Sequence, residues 1–256
     1  MGNGENGGSS SSMLTRVSDV FLSPGEAFQN IQKKPAWWIP LVITVLISAI
    51  LQLWLMNITV QDQIAKMNAQ ITKVERQMAE NGAPQERIDE VIRRIEQGKE
   101  RVQGPAKYLG LIVPVVYLLL VWSLASALLM LGSNPIMGGN AKFGQIMGVV
   151  AWSSLTVTLG SILKSVLIFI QETSHGVTTS LAALMKVPML AEKPSALYMF
   201  LSKMDPFMVW QVVLWGMGLA LVANISAKKG YIVAFVLWFI WIAISIGFNQ
   251  LLGNFM

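Results

Sequence analysis

The chain has 256 residues, of which 54% are hydrophobic and only 13% are charged, with a formal net charge of +5. Ordinary soluble domains carry about 25% charged residues, so this composition excludes a water-facing surface over most of the chain. The sequence contains no cysteine and a single histidine, His175. These counts exclude disulfides, thiolate metal sites, cysteine nucleophiles and multi-histidine metal centres. The composition therefore predicts a membrane protein, and we expect no metal or cofactor.

The N-terminal region divides into a polar run and a short helix. Residues 1–13 are rich in Gly, Asn and Ser, which predicts a disordered leader. Pro24 suits the first position of a helix, and the apolar side of that helix includes Phe28. Lys33 and Lys34 end the same stretch. Two interpretations remain open for this helix: it lies in the membrane interface, or it packs as a short element before the first span.

Long apolar runs follow, and each approaches the roughly 20 residues that a membrane-spanning helix needs. Open sheets cannot cross lipid, so we expect helices. The sequence therefore predicts an all-α membrane protein with five transmembrane helices. Their approximate bounds are 37–56, 108–131, 145–170, 207–226 and 231–252.

The segment 57–107 differs in kind, because it holds nine basic and eight acidic residues. Its apolar residues recur at spacings of three and four, which is typical of a coiled-coil seam. The turn sequence at 81–84 divides it, which predicts an antiparallel helical hairpin inserted between spans one and two. It is either a solvated spacer whose two arms satisfy each other, or a surface for a partner or for self-association. The candidate partner-binding seam residues are Ile64, Met67, Ile71, Val74, Ile88, Ile92 and Ile95.

The polar segment 171–204 separates spans three and four and is too polar to cross a membrane. It contains two short apolar islands, 181–185 and 197–201, with lysines beside them. This pattern predicts interfacial helices that lie against the bundle.

The distribution of basic residues bears on orientation. All loops counted together favour an outside N-terminus, because the long 57–107 segment carries nine basic residues. The positive-inside rule applies best to short loops, and without that segment six basic residues lie on the N-terminal side against three on the other. We therefore expect the N-terminus inside, and the C-terminus and the hairpin outside.

Span three carries a candidate intramembrane polar site. Lys164 is the single charged residue within a predicted span, and Ser154, Thr158, Ser161 and Ser165 recur on the same helix at spacings of four, three and four. This stripe is expected to point inward. It either lines a polar path or serves helix–helix contact. Lys164 is either functional, as intramembrane charges often are, or extends its stem to the interface near the end of its span.

Markers spread along the chain resemble the Yip family of Ypt/Rab-interacting multispan membrane proteins. They precede span one, precede span three and open span four, and the residues are Pro24, Phe28, Gly138, Gly139, Asp205, Phe207 and Trp210. The resemblance covers 14–56 and 108–252, so 57–107 looks like an insertion into a membrane domain over 14–56 and 108–256. It implies five spans, a cytoplasmic N-terminus and no catalytic activity, and the chain is more similar to the prokaryotic branch.

Two functional hypotheses follow. The first is a non-enzymatic membrane protein that organises the membrane or binds partners as a scaffold. The second is a small transporter or permease-like subunit with a polar path near Lys164. The expected partners are the lipid bilayer and a protein, or a second copy, bound through the hairpin or the bundle. No nucleic-acid module is present, and the positive charge at membrane edges suits anionic lipid headgroups. In a prokaryote the expected location is the cytoplasmic membrane.

Overall fold

The computed structural model describes residues 13–104, 108, 113–190 and 192–252, and within these ranges all regular structure is helical. Apart from Met13, which begins the first helix, the predicted leader lies outside the described residues. A π-helical turn (Gly132–Ile136) follows the helix that ends at Leu131, and a 3-10 turn (Leu181–Leu184) precedes the helix that begins at Ala196. The helices are α1 (Met13–Leu22), α2 (Pro24–Lys33), α3 (Trp38–Glu80), α4 (Gln85–Gln103), α5 (Val113–Leu131), α6 (Phe143–Gln171), α7 (Ala196–Lys203), α8 (Pro206–Ala223) and α9 (Ala227–Leu252).

Five of the described helices, namely α3, α5, α6, α8 and α9, are long and apolar enough to cross a membrane, which confirms the predicted fold class. Several boundaries differ from the predicted ones; α9, for example, begins at Ala227 and not at residue 231. Two of the differences are informative. Helix α3 does not end with its apolar run but continues unbroken to Glu80, so the first span and the start of the charged segment form one helix. Helix α8 ends at Ala223 because Asn224 adopts a left-handed conformation with φ of 54°.

Helix α6 lies at the centre of the bundle. Most of its residues between Ile146 and Thr158 are buried, whereas α3, α5 and α9 leave most of their apolar surface exposed. Helix α8 runs antiparallel to α6, because Phe207 at its start covers Gly160 and its Gly218 meets Val149. The exposed apolar surface of the outer helices is the surface that lipid would cover.

Helices α3 and α6 run side by side in the same direction. The hydroxyl oxygens of Thr44 and Thr158 lie 3.1 Å apart. Further along both helices, the rings of Trp54 and Phe169 stack with their centroids 4.9 Å apart. These paired contacts keep a constant register between the two helices.

The helix directions divide the molecule into two ends. Helices α3, α6 and α9 begin at one end, which also holds α1, α2 and the loops 137–142 and 224–226; we call it the N-terminal face. Helices α6 and α9 end at the opposite end, which holds the segment 172–205. The charged second half of α3 projects from this end, so we call it the arm face.

Helix α2 packs into the bundle rather than lying on it. The Phe28 side chain is fully buried, and its ring reaches the position that a Cβ on Gly218 of α8 would crowd at 3.1 Å. Gln32 strengthens this docking, since its side-chain amide donates to the Leu221 carbonyl oxygen at 3.1 Å. Of the two interpretations left open for this helix, the packed one describes the structure.

The charged segment projects from the arm face as two contacting helices. The second half of α3 ends at Glu80, a turn occupies 81–84, and α4 returns over Gln85–Gln103. The two helices run antiparallel, because the end of the Met67 side chain lies against Gly98. Ile88 is buried and the other six candidate seam residues are half-buried, while most residues between them are exposed. We call residues 57–104 the arm.

Candidate functional site

Three members of the predicted polar stripe, Ser154, Thr158 and Ser165, are buried in the bundle. The Ser154 hydroxyl donates to the Ala151 carbonyl oxygen at 2.7 Å. The Thr158 hydroxyl donates to the Ser154 carbonyl oxygen at 3.1 Å and also meets the hydroxyl of Thr44 on α3. Small side chains whose hydroxyl groups are hydrogen-bonded in this way let two helices approach closely in an apolar environment.

The fourth member of the stripe, Ser161, and the nearby Lys164 are exposed on the outside of α6. The Ser161 hydroxyl bonds within its own helix, donating to the Val157 carbonyl oxygen at 3.0 Å. The expectation that the whole stripe points inward is therefore wrong for Ser161, whereas the exposure of Lys164 is compatible with a side chain that extends to the interface. The physical reason is the face of α6 on which these side chains lie, because Ser165 and Ile168 further along the same helix are buried.

Backbone conformation and close packing explain why glycines occupy positions 138 and 139. Gly138 has a φ of 78°, a backbone conformation that favours glycine. Gly139 lies against the end of α8 and donates its backbone N–H to the Ser133 carbonyl oxygen at 2.9 Å. A Cβ on Gly139 would lie 2.8 Å from that same oxygen and 2.9 Å from the Cβ of Ala223. The step thus lets the loop before α6 pack directly on α8.

The Asp205–Pro206–Phe207 motif begins α8. One carboxylate oxygen of Asp205 accepts from the backbone N–H groups of Phe207 at 2.9 Å and Met208 at 3.4 Å, which caps the helix. The other oxygen accepts from the Thr179 hydroxyl, which ties the preceding segment to the same residue. Trp210 is 40% exposed and faces outward. Asp205 and Phe207 therefore fix the start of α8, through the cap and through the contact of Phe207 with Gly160.

The base of the arm contains a polar contact that the sequence did not indicate. Asp62, beyond the apolar part of α3, meets the turn that follows α6. Its carboxylate accepts from the Thr173 hydroxyl at 2.9 Å and from the backbone N–H of Ser174. We call this contact of Asp62 with Thr173 and Ser174 the base contact. It fixes the direction in which the arm leaves the bundle.

Electrostatics at the base contact favour the ionised carboxylate. Partial burial of Asp62 opposes ionisation, but hydrogen bonds from Ser174 and Thr173, with the nearby charge of Lys66, outweigh it. The pKa of Asp62 is therefore below its usual range. At neutral pH the base contact is a charge-assisted one, and such hydrogen bonds are stronger than neutral ones.

Within residues 13–104, 108, 113–190 and 192–252, no three Asp, Glu or His side chains are grouped so that they could hold a metal ion. The lone histidine, His175, uses its backbone N–H to bind the Thr173 hydroxyl oxygen at 3.1 Å. It therefore takes part in the turn at the base contact.

The apolar helices around α6, with a charged arm outside them, define a multi-pass integral membrane protein. Residues 18–248 match the model of the Yip1 domain, so the chain belongs to the Yip1 domain family. This confirms the family predicted from the sequence markers. The chain is also 24% identical over 242 residues to "Membrane protein YknW" of Bacillus subtilis (strain 168), covering 92% of this chain and 90% of that protein. No solved structure matches the chain.

Proposed function

We propose that this Yip1-family protein is a non-enzymatic membrane scaffold that binds a protein partner through its arm. The observation that carries this proposal is the continuity of α3, which joins a membrane span to an exposed helix without a break. The base contact at Asp62 fixes the same helix from the side. An element fixed in one direction loses less conformational entropy on binding than a mobile loop, which favours affinity.

The proposed docking surface is the edge of the seam between α3 and α4. The six half-buried seam residues keep part of each apolar side chain accessible along that edge. A helix from a partner, or from a second copy, would bury these edges in the manner of helix-in-groove recognition. The charged residues on both sides of the seam would then select the partner by charge complementarity.

The test is a pull-down of the tagged protein from crosslinked membranes. Replacing 60–102 by a short Gly/Ser linker is expected to abolish recovery of a partner that the intact chain retains. Leu197→Ser is the matched control, since it changes an exposed apolar residue on the arm face outside the arm. Equal recovery of the partner with and without 60–102 would reject the arm as a docking surface.

The alternative function is transport along a polar path near Lys164. The exposure of Ser161 and Lys164 counts against a path that uses the whole stripe. In proteoliposomes, flux that survives Lys164→Leu and Ser161→Leu would remove these residues from any path. Flux lost in both variants would instead favour the transporter hypothesis over the scaffold.

We also propose that the N-terminal face lies inside the cell and the arm outside. Short loops at the N-terminal face carry most of the basic residues that do not belong to the arm, as the positive-inside rule requires. The chain has no cysteine, so single substitutions report position cleanly. A membrane-impermeant maleimide on intact cells is expected to label Asn81→Cys in the arm and to spare Ser226→Cys. The reverse pattern would invert the orientation.

A further inference from the structure

The N-terminal face carries five exposed lysines on three separate segments. Lys33 ends α2 and Lys34 follows it, Lys142 precedes α6, and Lys228 and Lys229 lie in the first turn of α9. Within the described residues none of the five ammonium groups forms an ion pair. The carboxylates described at this end, Asp19 and Glu26, belong to α1 and α2. The five lysines are called the lysine collar below.

Hydrogen bonds hold the three segments together, so the collar is one surface and not three mobile loops. The Gln145 side chain of α6 donates to the Gln32 carbonyl oxygen at 2.9 Å. The Asn224 side-chain amide donates to the side-chain oxygen of Asn140 at 3.0 Å, which joins the α8–α9 turn to the loop before α6. Lys229 itself donates to the Met137 carbonyl oxygen at 2.9 Å and remains exposed.

Large apolar side chains are exposed at the same end as the collar. Trp38 is 57% exposed, Phe143 is 42% exposed and Ile136 is 73% exposed. Trp38 and Phe143 begin the apolar helices α3 and α6, so they lie where aromatic residues meet the membrane–water interface. A soluble phosphate compound would have no apolar part to bury these side chains. A phospholipid would place its phosphate at the lysines and its acyl chains against the apolar surface.

We propose that the lysine collar is a binding surface for anionic phospholipid headgroups in the leaflet at the N-terminal face. Lysines close to an anionic membrane surface each contribute about fivefold to association, and screening by salt weakens this effect. Because the collar is held by hydrogen bonds, it presents its charges without a loss of loop entropy. This inference is independent of the arm and of its partner.

The test measures lipid selectivity in reconstituted membranes. Spin-labelled phosphatidylglycerol and phosphatidylcholine report the motionally restricted lipid at the protein surface. The intact chain is expected to prefer phosphatidylglycerol about fivefold or more, and to lose the preference at high salt. Replacing all five collar lysines by Gln is expected to bring the ratio near one. Replacing them by Arg is expected to retain it.

A matched control separates the collar from net charge. Five basic residues of the arm changed to Gln remove the same charge from the opposite end; they are Arg76, Arg87, Arg93, Lys99 and Arg101. This variant is expected to keep the lipid preference. Equal loss in both variants, or an intact chain without preference, would overturn the proposal. Inorganic phosphate that binds at the collar without lowering the phosphatidylglycerol preference would show that the lipid is bound elsewhere, and it would overturn the proposal as well.

Discussion

Three glycines near the start of α6 allow a graded test of the packing between that helix and α8. At Gly139 an added methyl group would meet the Ser133 carbonyl oxygen at 2.8 Å, and the Cβ and carbonyl oxygen of Ala223 at 2.9 and 3.0 Å. Two of these three atoms belong to the backbone, so they cannot move aside as a flexible side chain would. Gly139→Ala is expected to destabilise the protein at the upper end of the overpacking range, by about 2–3 kcal/mol.

The neighbouring glycines are the controls. Gly138 has a φ of 78° but no heavy atom within 4 Å of its ideal Cβ, so Gly138→Ala brings backbone strain alone, about 1–2 kcal/mol. Gly144 lies in the first turn of α6 with nothing within 4 Å of its ideal Cβ. Gly144→Ala is expected to be neutral or to stabilise by up to about 1 kcal/mol, because Ala has the higher helix propensity.

The assay measures the apparent unfolding temperature in detergent by circular dichroism. All variants are heated at one fixed scan rate, because membrane proteins often unfold irreversibly and the apparent temperature then depends on that rate. For a chain of this size each kcal/mol corresponds to roughly 2–4 °C. Gly139→Ala is expected to unfold about 4–12 °C below the wild type, Gly138→Ala a few degrees below it, and Gly144→Ala at or above it. Equal temperatures for Gly139→Ala and Gly144→Ala would refute the close approach at Gly139.

Other substitutions test single contacts. Asp205→Ala removes the cap of α8 and is expected to lower stability by about 1 kcal/mol, measured as above, with Asp205→Asn milder. Trp152→Phe removes the bond from its indole N–H to the Pro35 carbonyl oxygen, 3.0 Å long, and is expected to destabilise by about 1 kcal/mol. Asp62→Asn is expected to raise the mobility of a fluorophore at Asn81 in the arm, and unchanged anisotropy would contradict the base contact. Folding lowers the pKa of Asp62. The stability that the base contact contributes is therefore present above about pH 4 and is lost as the pH falls through the pKa of the folded state. The anisotropy of the fluorophore at position 81, measured against pH, checks this.

Membrane spans could be predicted from the sequence because the signal is local. Apolar runs of sufficient length identify spans whatever their neighbours are, and all five correspond to helices of the structure. The continuity of α3 could also be anticipated, since no proline or glycine lies between Leu41 and Glu80. The change in composition near residue 57 marks the point where the helix leaves the lipid for water, and not the end of the helix.

Contacts that depend on distant residues could not be predicted. Which positions of α6 are buried depends on the helices packed around it, and these come from distant parts of the chain, as the contact between Gly160 and Phe207 of α8 shows. The partners of Asp62 lie more than a hundred residues away, and an aspartate after a span is no signal by itself. Periodicity therefore identified the stripe on α6, and the arrangement of the neighbouring helices determined which of its residues are buried.

Because α3 is unbroken, a change in the tilt of the first span would be transmitted to the arm. Spanning helices adjust their tilt to the thickness of the surrounding bilayer. Beyond Met56 the helix extends for about 36 Å at 1.5 Å per residue. Without a joint at the membrane edge, a change in tilt of about 10° would carry the far end of the arm sideways by about 6 Å. A small change in the tilt of the first span would therefore displace the far end of the arm by several ångströms.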